Sequence, residues 1–486
     1  MEKNELKPAG VFRYFAEICR VPRPSKKEEQ MIAYLKAFGE KNKLETRVDD
    51  AGNVLMRKPA SPGMEQRPTV VLQSHIDMVC EKNSDVQHDF LTDAIETYIE
   101  GEWMRAKGTT LGADNGIGVA TQLALLADQS LVHGPVECLF TVDEETGLTG
   151  AFALKKGFIT GRILLNLDSE DEGELFIGCA GGVDSVGEFP YELAGIPDDY
   201  YFCKIAVSGL KGGHSGADIH LGLGNANKLL NRFLYQSLKK YDLYLCEIDG
   251  GNLRNAIARE AYAVVALPEE DRHALRADLN LYAADLEAEL GSIETDLKLS
   301  LQSEAPRNWA IDSHTTQRLL QALYVVPHGV YAMSHDIPGL VETSTNLASV
   351  KMKIPRLIRV ETSQRSSIES AKKDMAQMVR TALELGGATV TFSDGYPGWK
   401  PNPHSPILAV AVDSYKRLFG VEPQVKAIHA GLECGLFLAK YPALDMISFG
   451  PTLRGVHSPD ECMHIPSVER FWRHLLDILA HVPAVS

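Results

Sequence analysis

The chain has no long apolar run and no surplus of basic residues. No apolar stretch approaches the roughly 20 residues that a membrane-spanning helix needs. The N-terminus, Met1-Glu2-Lys3-Asn4-Glu5-Leu6, has no apolar core of a signal peptide. Lysine and arginine number 49 against 65 aspartates and glutamates, which gives a net charge of −16. Since nucleic-acid-binding proteins carry a basic stripe, we expect no nucleic-acid partner and no membrane partner.

The chain also has no Cys-x-x-Cys pair among its eight cysteines, so the sequence does not support a structural zinc ribbon. A reduced, cytoplasmic protein is the simplest expectation. At 486 residues the chain is too long for one ordinary core, so we expect at least two domains. Hydrophobic residues make up 44% and charged residues 23%, which is typical of a globular protein.

One apolar run ends abruptly in acidic residues. The stretch from Val136 to Val142 predicts a buried strand, and Asp143-Glu144-Glu145-Thr146-Gly147 follows it. In open α/β sheets the ligand crevice lies beyond the carboxyl ends of the strands. Adjacent carboxylates such as Glu144 and Glu145 repel unless a cation or a shared proton compensates them. The alternative is a plain acidic loop, and this stretch alone does not decide.

A second predicted strand, Thr69 to Cys80, carries His75 and Asp77 near its carboxyl end. Residues two apart on a strand face the same side. Asp77 can therefore accept a hydrogen bond from one imidazole nitrogen of His75 while the other binds a metal. The alternative for His75 is a packed core residue.

A glycine-rich loop, Gly112-Ala113-Asp114-Asn115-Gly116-Ile117-Gly118, precedes a helix predicted over Val119–Asp128. Its spacing fits neither a dinucleotide fingerprint nor a phosphate-binding loop, and an acid in its middle would repel phosphate. Asp114 is better interpreted as a rigidly held carboxylate; an Asx turn before the helix is the alternative. Earlier, Ser25-Lys26-Lys27-Glu28 predicts a capping box that opens a helix to about Lys43.

Two further strands complete the pattern. One, Arg162 to Leu167, ends in Asp168, and the other, Asp445 to Gly450, is followed by Gly455-Val456-His457. Together the strand ends bring two histidines and several carboxylates to one crevice edge, a set that suits divalent zinc, cobalt or manganese.

The region between Asp168 and His457 predicts a different architecture. Over 201–301 the order is strand, helix, strand, strand, helix, strand, which is typical of a ferredoxin-like module, and a similar series recurs less clearly over 314–392. We therefore expect an α/β protein with a discontinuous catalytic domain, 1–185 and 396–486, built on a mixed, mainly parallel sheet flanked by helices. Residues 186–395 are expected to form an inserted α+β lid domain of doubled ferredoxin-like modules.

The segments already quoted around His75, Asp114, Glu144, Asp168 and His457, with Gly212-Gly213-His214-Ser215-Gly216, resemble the co-catalytic zinc peptidases, which include carboxypeptidase G, aminoacylase and several dipeptidases. Three stretches resemble the aminoacyl-histidine dipeptidases (Xaa-His dipeptidase, peptidase D) in particular: Ser74 to Lys82, Leu111 to Gly118, and His429-Ala430-Gly431-Leu432-Glu433-Cys434. The resemblance covers nearly the whole chain.

The resemblance implies two zinc ions per chain, which cobalt or manganese can replace. One ion would take His75 and Asp168, the other would take Glu145 and His457, and Asp114 would bridge them. Glu144 would be the general base on the attacking water, and Asp77 would orient His75.

The resemblance also implies substrate-binding residues in the lid. His214 would hold the substrate carbonyl or the oxyanion, although a histidine that caps the following helix is the alternative. Asn255, Asn346 and Arg365 would grip the substrate carboxylate, with a surface arginine as the alternative for Arg365. Outside the lid, Glu433 would receive the free amine of the substrate.

The leading functional expectation is a cytoplasmic zinc dipeptidase that acts on Xaa-His and related small dipeptides, including β-Ala-His. An N-acyl amino acid hydrolase or a carboxypeptidase of the same fold is the alternative, and a peptide-binding scaffold on an inactive hydrolase fold is a third. Because simple relatives dimerise through a single-module lid, the doubled lid leaves both a monomer and a homodimer through the lid open.

Overall fold

The computed structural model describes residues 6–484 and divides into two compact units. The first contains the chain up to Gly178, Pro401–Ala427 and the segment from Leu432 onward. The second contains Cys179–Lys400 and Ile428–Gly431. The predicted boundary at residues 185 and 186 falls inside a strand of the second unit, Gly181–Pro190. That the first unit is catalytic and the second is a lid stays a prediction.

The strands, in chain order, are β1 (Glu45–Val48), β2 (Val54–Lys58), β3 (Val70–His75), β4 (Thr97–Glu100), β5 (Trp103–Ala106), β6 (Val136–Thr141), β7 (Ile163–Asn166), β8 (Glu174–Cys179), β9 (Gly181–Pro190), β10 (Leu193–Ala194), β11 (Tyr200–Ser208), β12 (Tyr244–Gly250), β13 (Ala261–Pro268), β14 (Lys298–Ser303), β15 (Ala310–Ile311), β16 (Gly329–Met333), β17 (Val341–Ile354), β18 (Leu357–Ser366), β19 (Thr389–Phe392), β20 (Gln424–Ile428), β21 (Asp445–Ser448), β22 (Leu453–Arg454) and β23 (Cys462–His464). The α-helices are α1 (Ala9–Ile18), α2 (Glu29–Lys41), α3 (Ala113–Ala127), α4 (Thr149–Ala153), α5 (Ala226–Lys240), α6 (Arg272–Leu290), α7 (Ser313–Val325), α8 (Glu369–Leu385), α9 (Pro406–Phe419), α10 (Glu433–Lys440) and α11 (Ile465–His481).

The first unit is built on an eight-stranded sheet in the order β1-β2-β6-β3-β7-β21-β8-β20. Its central strands β6, β3, β7 and β21 run parallel, while β1, β2 and β8 pair antiparallel. Every position of β3 and β6 is buried, as expected for parallel strands covered on both faces. The predicted α/β class with a mixed sheet is confirmed. The four parallel strands end at one edge, where the polar side chains collect.

A smaller antiparallel sheet, β22-β23-β5-β4, lies in the same unit. The register pairs Cys462 with Arg105. The sheet thus joins β5, which leads into the glycine-rich loop and α3, to the β22–β23 hairpin. Residues 455–461 form the loop of that hairpin, and His457 lies in it.

Two local predictions differ from the structure. The capping box is wrong: Ser25 Oγ donates to Asp77 Oδ2 at 2.8 Å, and Glu28 Oε1 accepts from the backbone amides of Lys26 and Asp143. The serine is drawn away from the helix because a buried carboxylate is a stronger acceptor. The helix predicted from Val119 begins at Ala113 and is interrupted by non-helical backbone at Asp114 and Asn115.

The second unit holds a nine-stranded antiparallel sheet made of two ferredoxin-like modules. The first module is β11-α5-β12-β13-α6-β14, with the strand order β14-β11-β13-β12. The second has the same arrangement, with α7, β17, β18, α8 and β19, but its first strand is β9, which precedes the whole first module in the chain. The doubled core is confirmed, and the incomplete second series of the sequence is a complete module split by an insertion.

The two modules join where Gly250 of β12 pairs with Val350 of β17, and β16 adds to β17. Buried apolar side chains from the strands and from α5–α8 form one continuous core, which includes Phe189, Leu234, Leu279, Leu320 and Val379. The second unit therefore behaves as one packed body rather than two separate modules.

Candidate metal centre

His75 lies at the carboxyl end of β3 with 1% of its surface exposed. Its Nε2 is 3.1 Å from Asp114 Oδ1 and 3.4 Å from Asp168 Oδ1. The buried ring therefore faces carboxylates rather than apolar side chains, which disfavours the alternative of an ordinary core histidine.

His457 lies across Asp114 from His75. Its Nε2 is 3.1 Å from Asp114 Oδ2 and 3.0 Å from Glu145 Oε2. The backbone of His457 has a φ of +62°, in the left-handed region that non-glycine residues rarely adopt. The two oxygens of Asp114 thus define two half-sites, one with His75 and Asp168 and one with His457 and Glu145.

The donor set of these half-sites fits divalent metal ions. Each half-site combines one imidazole nitrogen with carboxylate oxygens, the ligands that zinc accepts, and the 3.0–3.4 Å separations match the roughly 3.3 Å between ligand atoms of a tetrahedral site with bonds of about 2.0–2.1 Å. One ligand atom each from His75, Asp114 and Glu145 lies within 4.8 Å of the others. Glu145 Oε1 is buried without a hydrogen-bond partner among the described residues, so one donor atom is left for a cation.

The electrostatics of the cluster favour positive charge. The hydrogen-bonded carboxylates of Asp114 and Glu145 raise the pKa of His457 to about 11. Burial, with its carboxylate neighbours, raises the pKa of Asp168 to about 6 and that of Glu170 to about 7. The protein therefore concentrates more negative charge here than its own side chains neutralise, and a bound cation would offset the excess.

Asp77 supports both His75 and the acidic turn after β6. One of its oxygens lies 3.3 Å from His75 Nδ1, and its carboxylate accepts from the backbone amides of Glu144 at 3.0 Å and Glu145 at 3.2 Å. Burial alone would raise the pKa of Asp77, but His75, the Glu144 amide and the Ser25 hydroxyl hold it below its usual value. With a proton on Nδ1 facing Asp77, Nε2 of His75 would offer a lone pair to a metal.

Glu144 is adjacent to Glu145 but differs from it in its contacts. Glu145 reaches His457, whereas no hydrogen bond of the Glu144 side chain occurs among the described residues. Burial raises the pKa of Glu144 well above its usual value, an effect that His75 opposes and that Asp168 and Glu433 reinforce. Glu144 is thus a carboxylate poised to hold a proton beside the half-sites.

A second acidic cluster, Glu28, Asp77 and Asp143, lies behind the turn. Its oxygens accept from protein donors: Thr146 and Thr149 hydroxyls reach Asp143, and amide and hydroxyl donors reach Glu28 and Asp77. These acids hold the backbone in place, so the cluster is less suited to a metal than the half-sites around Asp114.

Two buried side chains that the sequence did not single out hold the Asp114 segment. Arg23 donates to the carbonyl oxygens of Gly112 at 2.6 Å and Asp77 at 3.1 Å. Glu461 accepts from the four backbone amides of Leu111, Gly112, Ala113 and Asp114. The only sequence signal for Glu461 is its place four residues after His457, and Arg23 gives none.

In the second unit, His214 lies in the Gly212–Gly216 loop after β11. Its Nδ1 accepts from the backbone amides of Gly216 at 3.2 Å and Ala217 at 2.9 Å. This agrees with the alternative of a local cap, but it also places the proton of a neutral ring on Nε2. Burial and Arg365 lower the pKa of His214, which favours that neutral form.

Two of the other predicted lid residues, Asn255 and Arg365, line a cavity of about 180 Å³. Arg365 is 8% exposed and donates to Tyr396 Oη at 2.9 Å, so the alternative of a surface arginine is wrong. Asn255 is exposed. Asn346 is 1% exposed and donates to the carbonyl oxygens of Arg254 and Ala256, so it holds the Asn255 loop. Their binding of a substrate stays a prediction.

Glu433 is fully buried at the start of α10 in the first unit. Its Oε2 accepts from Gln73 Nε2 at 2.6 Å and Thr141 Oγ1 at 2.8 Å, whereas Oε1 is buried without a hydrogen bond to any described residue. Burial raises the pKa of Glu433 to about 8. The predicted amine-binding role requires a carboxylate oxygen without a protein partner, and among the described residues Oε1 is such an atom. The role itself stays a prediction.

Over residues 6–484, no helix is long and apolar enough to cross a membrane.

Comparison with known proteins gives consistent matches over most or all of the chain. Residues 71–481 match the family described as Peptidase family M20/M25/M40. The chain is 44% identical over 483 residues to the Cytosol non-specific dipeptidase of Escherichia coli, covering 99% of both chains. The crystal structure of aminoacylhistidine dipeptidase from Vibrio alginolyticus superposes with a TM-score of 0.94 at 46% identity, covering 100% of this chain and 99% of that one. A tripeptidase from Staphylococcus aureus, 15% identical and covering 98% and 99% of the two chains, shares the fold with a TM-score of 0.57.

Proposed function

The chain belongs to Peptidase family M20/M25/M40 and is a metallopeptidase, and on that premise we propose that it is a dipeptidase that hydrolyses Xaa-His and related dipeptides, β-Ala-His among them. The names of its two near-full-length relatives support this, one as a non-specific dipeptidase and the other as an aminoacylhistidine dipeptidase. The first of these names is also the reason to propose a cytoplasmic location.

The observation that carries the proposal is the pair of half-sites on the two oxygens of Asp114. His75 and Asp168 would hold one ion, Glu145 and His457 the other, and Asp114 would bridge both. The nitrogen and carboxylate donors suit zinc, with cobalt or manganese as substitutes. When bound, such ions lower the pKa of a water and polarise the scissile carbonyl.

Glu144 would act as the general base. Its side chain is beside the half-sites and forms no hydrogen bond with a described residue, so a carboxylate oxygen is available to take a proton from the attacking water. It would then pass that proton to the departing amine, as general acid–base catalysis requires. Asp77 would fix the ring of His75 and, through the amides of Glu144 and Glu145, the backbone that carries both acids.

The lid residues would recognise a short substrate. His214, with its proton held on Nε2 by two amides that donate to Nδ1, would donate to the carbonyl or oxyanion. Arg365, with Asn255 in the same cavity, would bind the C-terminal carboxylate, since a guanidinium fork matches it. Asn346 would act by holding the Asn255 loop, and Glu433 Oε1 would receive the free amine. The proposed partners are thus small dipeptides. Whether the chain also forms a homodimer through the lid is a question for a measurement of its mass in solution.

The experiment is a substrate panel with metal-free and reconstituted protein. Chelation should abolish hydrolysis of Gly-His and β-Ala-His, and zinc, cobalt or manganese should restore it. A dipeptide without histidine, such as Gly-Leu, measures how strict the preference is. Preferred cleavage of N-acetyl amino acids or of a tetrapeptide would favour an acyl hydrolase or a carboxypeptidase instead. Full turnover by metal-free protein would overturn the proposal that hydrolysis depends on metal ions.

A further inference from the structure

The carboxylate of Glu461 accepts from four consecutive backbone amides of the segment leading to Asp114. It is 2% exposed in the β22–β23 loop. Its Oε2 accepts from Leu111 at 2.8 Å and Gly112 at 2.9 Å, and its Oε1 accepts from Ala113 at 2.8 Å and Asp114 at 3.3 Å. Charge-assisted bonds of this kind are about twice as strong as neutral ones, so the segment is held tightly to the hairpin.

The opposite side of the same segment is held by Arg23. The guanidinium donates to the carbonyl oxygens of Gly112 and Asp77, which ties the segment to the end of β3. Gly112 has a φ of +66°, and a Cβ there would lie 2.5 Å from Arg23 Nη2, so a larger residue would displace the arginine. The backbone before Asp114 is thus fixed between the β3 end, which carries His75, and the hairpin, which carries His457.

The hairpin loop that links Glu461 to His457 is itself braced. Ser458 Oγ donates to the Gly455 carbonyl at 2.6 Å, and the Glu461 amide donates to the Ser458 carbonyl at 3.0 Å. A shift of the Glu461 carboxylate relative to the Asp114 segment would therefore carry His457 away from Asp114, to which its Nε2 now lies at 3.1 Å.

We propose that Glu461 is a positioning residue that sets the separation of His457 and Asp114, and hence the geometry of the half-site that they share. The inference rests on the proposed function because it concerns the ions that these residues would hold. It goes beyond it because Glu461 binds neither ion nor substrate and acts through the backbone of Asp114. The competing explanation is an anion at the start of a helix that stabilises α3 and has no bearing on metal affinity.

The test compares Glu461→Gln with Glu137→Gln in the full-length protein. Glu137 is the control: it is 1% exposed and likewise accepts from backbone amides, of Thr160 at 2.7 Å and Gly161 at 3.0 Å, and it also pairs with Arg57 at 2.9 Å. It lies near the start of β6, far along the strand from Glu144. Zinc affinity and stoichiometry of the metal-free proteins are measured by calorimetric titration, and the thermal midpoint of each metal-free protein is recorded.

Glu461→Gln should lower the zinc affinity roughly 10–100-fold, the range for groups that orient a ligand. The larger loss should occur at the half-site that contains His457. Glu137→Gln should lower the thermal midpoint while zinc binds as in the wild type. Glu461→Asp, which keeps the charge, should recover part of the zinc affinity. A zinc affinity that follows the carboxylate, in variants whose thermal midpoints are known, distinguishes positioning from a loss of stability alone.

Three results would overturn the inference. They are wild-type zinc affinity in Glu461→Gln, an equal loss of zinc in Glu137→Gln, and failure of both Glu461 variants to fold, because the carboxylate would then serve the fold itself. A wild-type protein that binds no zinc would instead overturn the proposed function, so the two failures are distinguishable.

Discussion

Glu144→Gln is the substitution that separates proton transfer from metal binding. It keeps the size and shape of the side chain and removes its basicity. Within residues 6–484 the Glu144 side chain forms no hydrogen bond or ion pair with His457 or Asp114, whereas Glu145 Oε2 lies 3.0 Å from His457 Nε2. Glu144→Gln should therefore leave the metal content and the fold nearly unchanged and should lower turnover.

The size of that loss follows from the role. General-base catalysis supplies about 10²–10⁴-fold, and at about 1.36 kcal/mol per tenfold in rate this is roughly 2.7–5.4 kcal/mol of activation free energy. Because the variant keeps the residues that would bind the substrate, KM should change little while kcat falls by the full factor. The loss in kcat/KM would then equal the loss in kcat, as expected for an interaction made only in the transition state.

Glu145→Gln is the matched variant, since it removes one negative charge from the next residue along the same turn. Its side chain belongs to the half-site of His457, so this variant should bind one zinc more weakly, by at least the roughly 10–100-fold seen for groups that only orient a ligand. Excess zinc should rescue part of its activity, whereas excess zinc should not rescue Glu144→Gln.

The assay is metal analysis of the dialysed proteins together with steady-state kinetics on Gly-His at several zinc concentrations. If Glu144→Gln loses zinc while Glu145→Gln keeps zinc and loses turnover, the two roles are exchanged. If neither variant changes zinc content or rate, the acidic turn after β6 takes no part in catalysis and the proposed mechanism is refuted.

Three further predictions concern residues around Glu144 and Glu145. Asp77→Ala should cost roughly 10–100-fold in activity or zinc affinity because His75 loses its orienting partner; unchanged kinetics would contradict this. Asp114→Ala should remove zinc from both half-sites, and His75→Ala from one, as measured by metal analysis; loss of a single ion from the Asp114 variant would argue against a bridge. Burial raises the pKa of Glu433 from its ordinary 4.5 to about 8. Between those values the unfolded chain gives up a proton that the folded, metal-free chain keeps, so folding stability falls as pH rises. Glu433→Gln should flatten this slope in thermal melts from about pH 5 to about pH 8, and an unchanged slope would show that Glu433 does not cause it.

The strand-end residues of the candidate site were predictable because their geometry follows from the sheet. Apolar runs that end in His75, Glu144 and Asp168 predict parallel strands, and the carboxyl ends of such strands share one edge. The inference needs only that the strands are parallel and close together, and β6, β3 and β7 are indeed neighbours in the sheet. The sequence thus indicates which side chains meet, while the assignment of a role to each depends on the family resemblance.

Residues that act on the backbone were not predictable. Glu461 accepts from amides about 350 residues away in sequence, and Arg23 donates to carbonyl oxygens. Backbone groups are the same at every position, so no residue pattern indicates such partners. For Ser25 the local pattern predicts a partner that the structure does not give it. The pattern predicts a helix cap, but the hydroxyl donates to the buried carboxylate of Asp77 instead.

The split second module explains both the incomplete repeat in the sequence and the composition of the candidate lid cavity. A contiguous pattern cannot include β9, because the entire first module lies between β9 and α7. Once the modules join at β12 and β17, the Asn255 loop of the first module and Arg365 of the second line one cavity. Asn346 of the second module holds that loop by two hydrogen bonds. A single module would supply either Asn255 or Arg365 but not both. The cavity therefore depends on the presence of both modules in one chain. The first module, whose insertion after β9 hides the second module from sequence analysis, also supplies the Asn255 loop of this cavity.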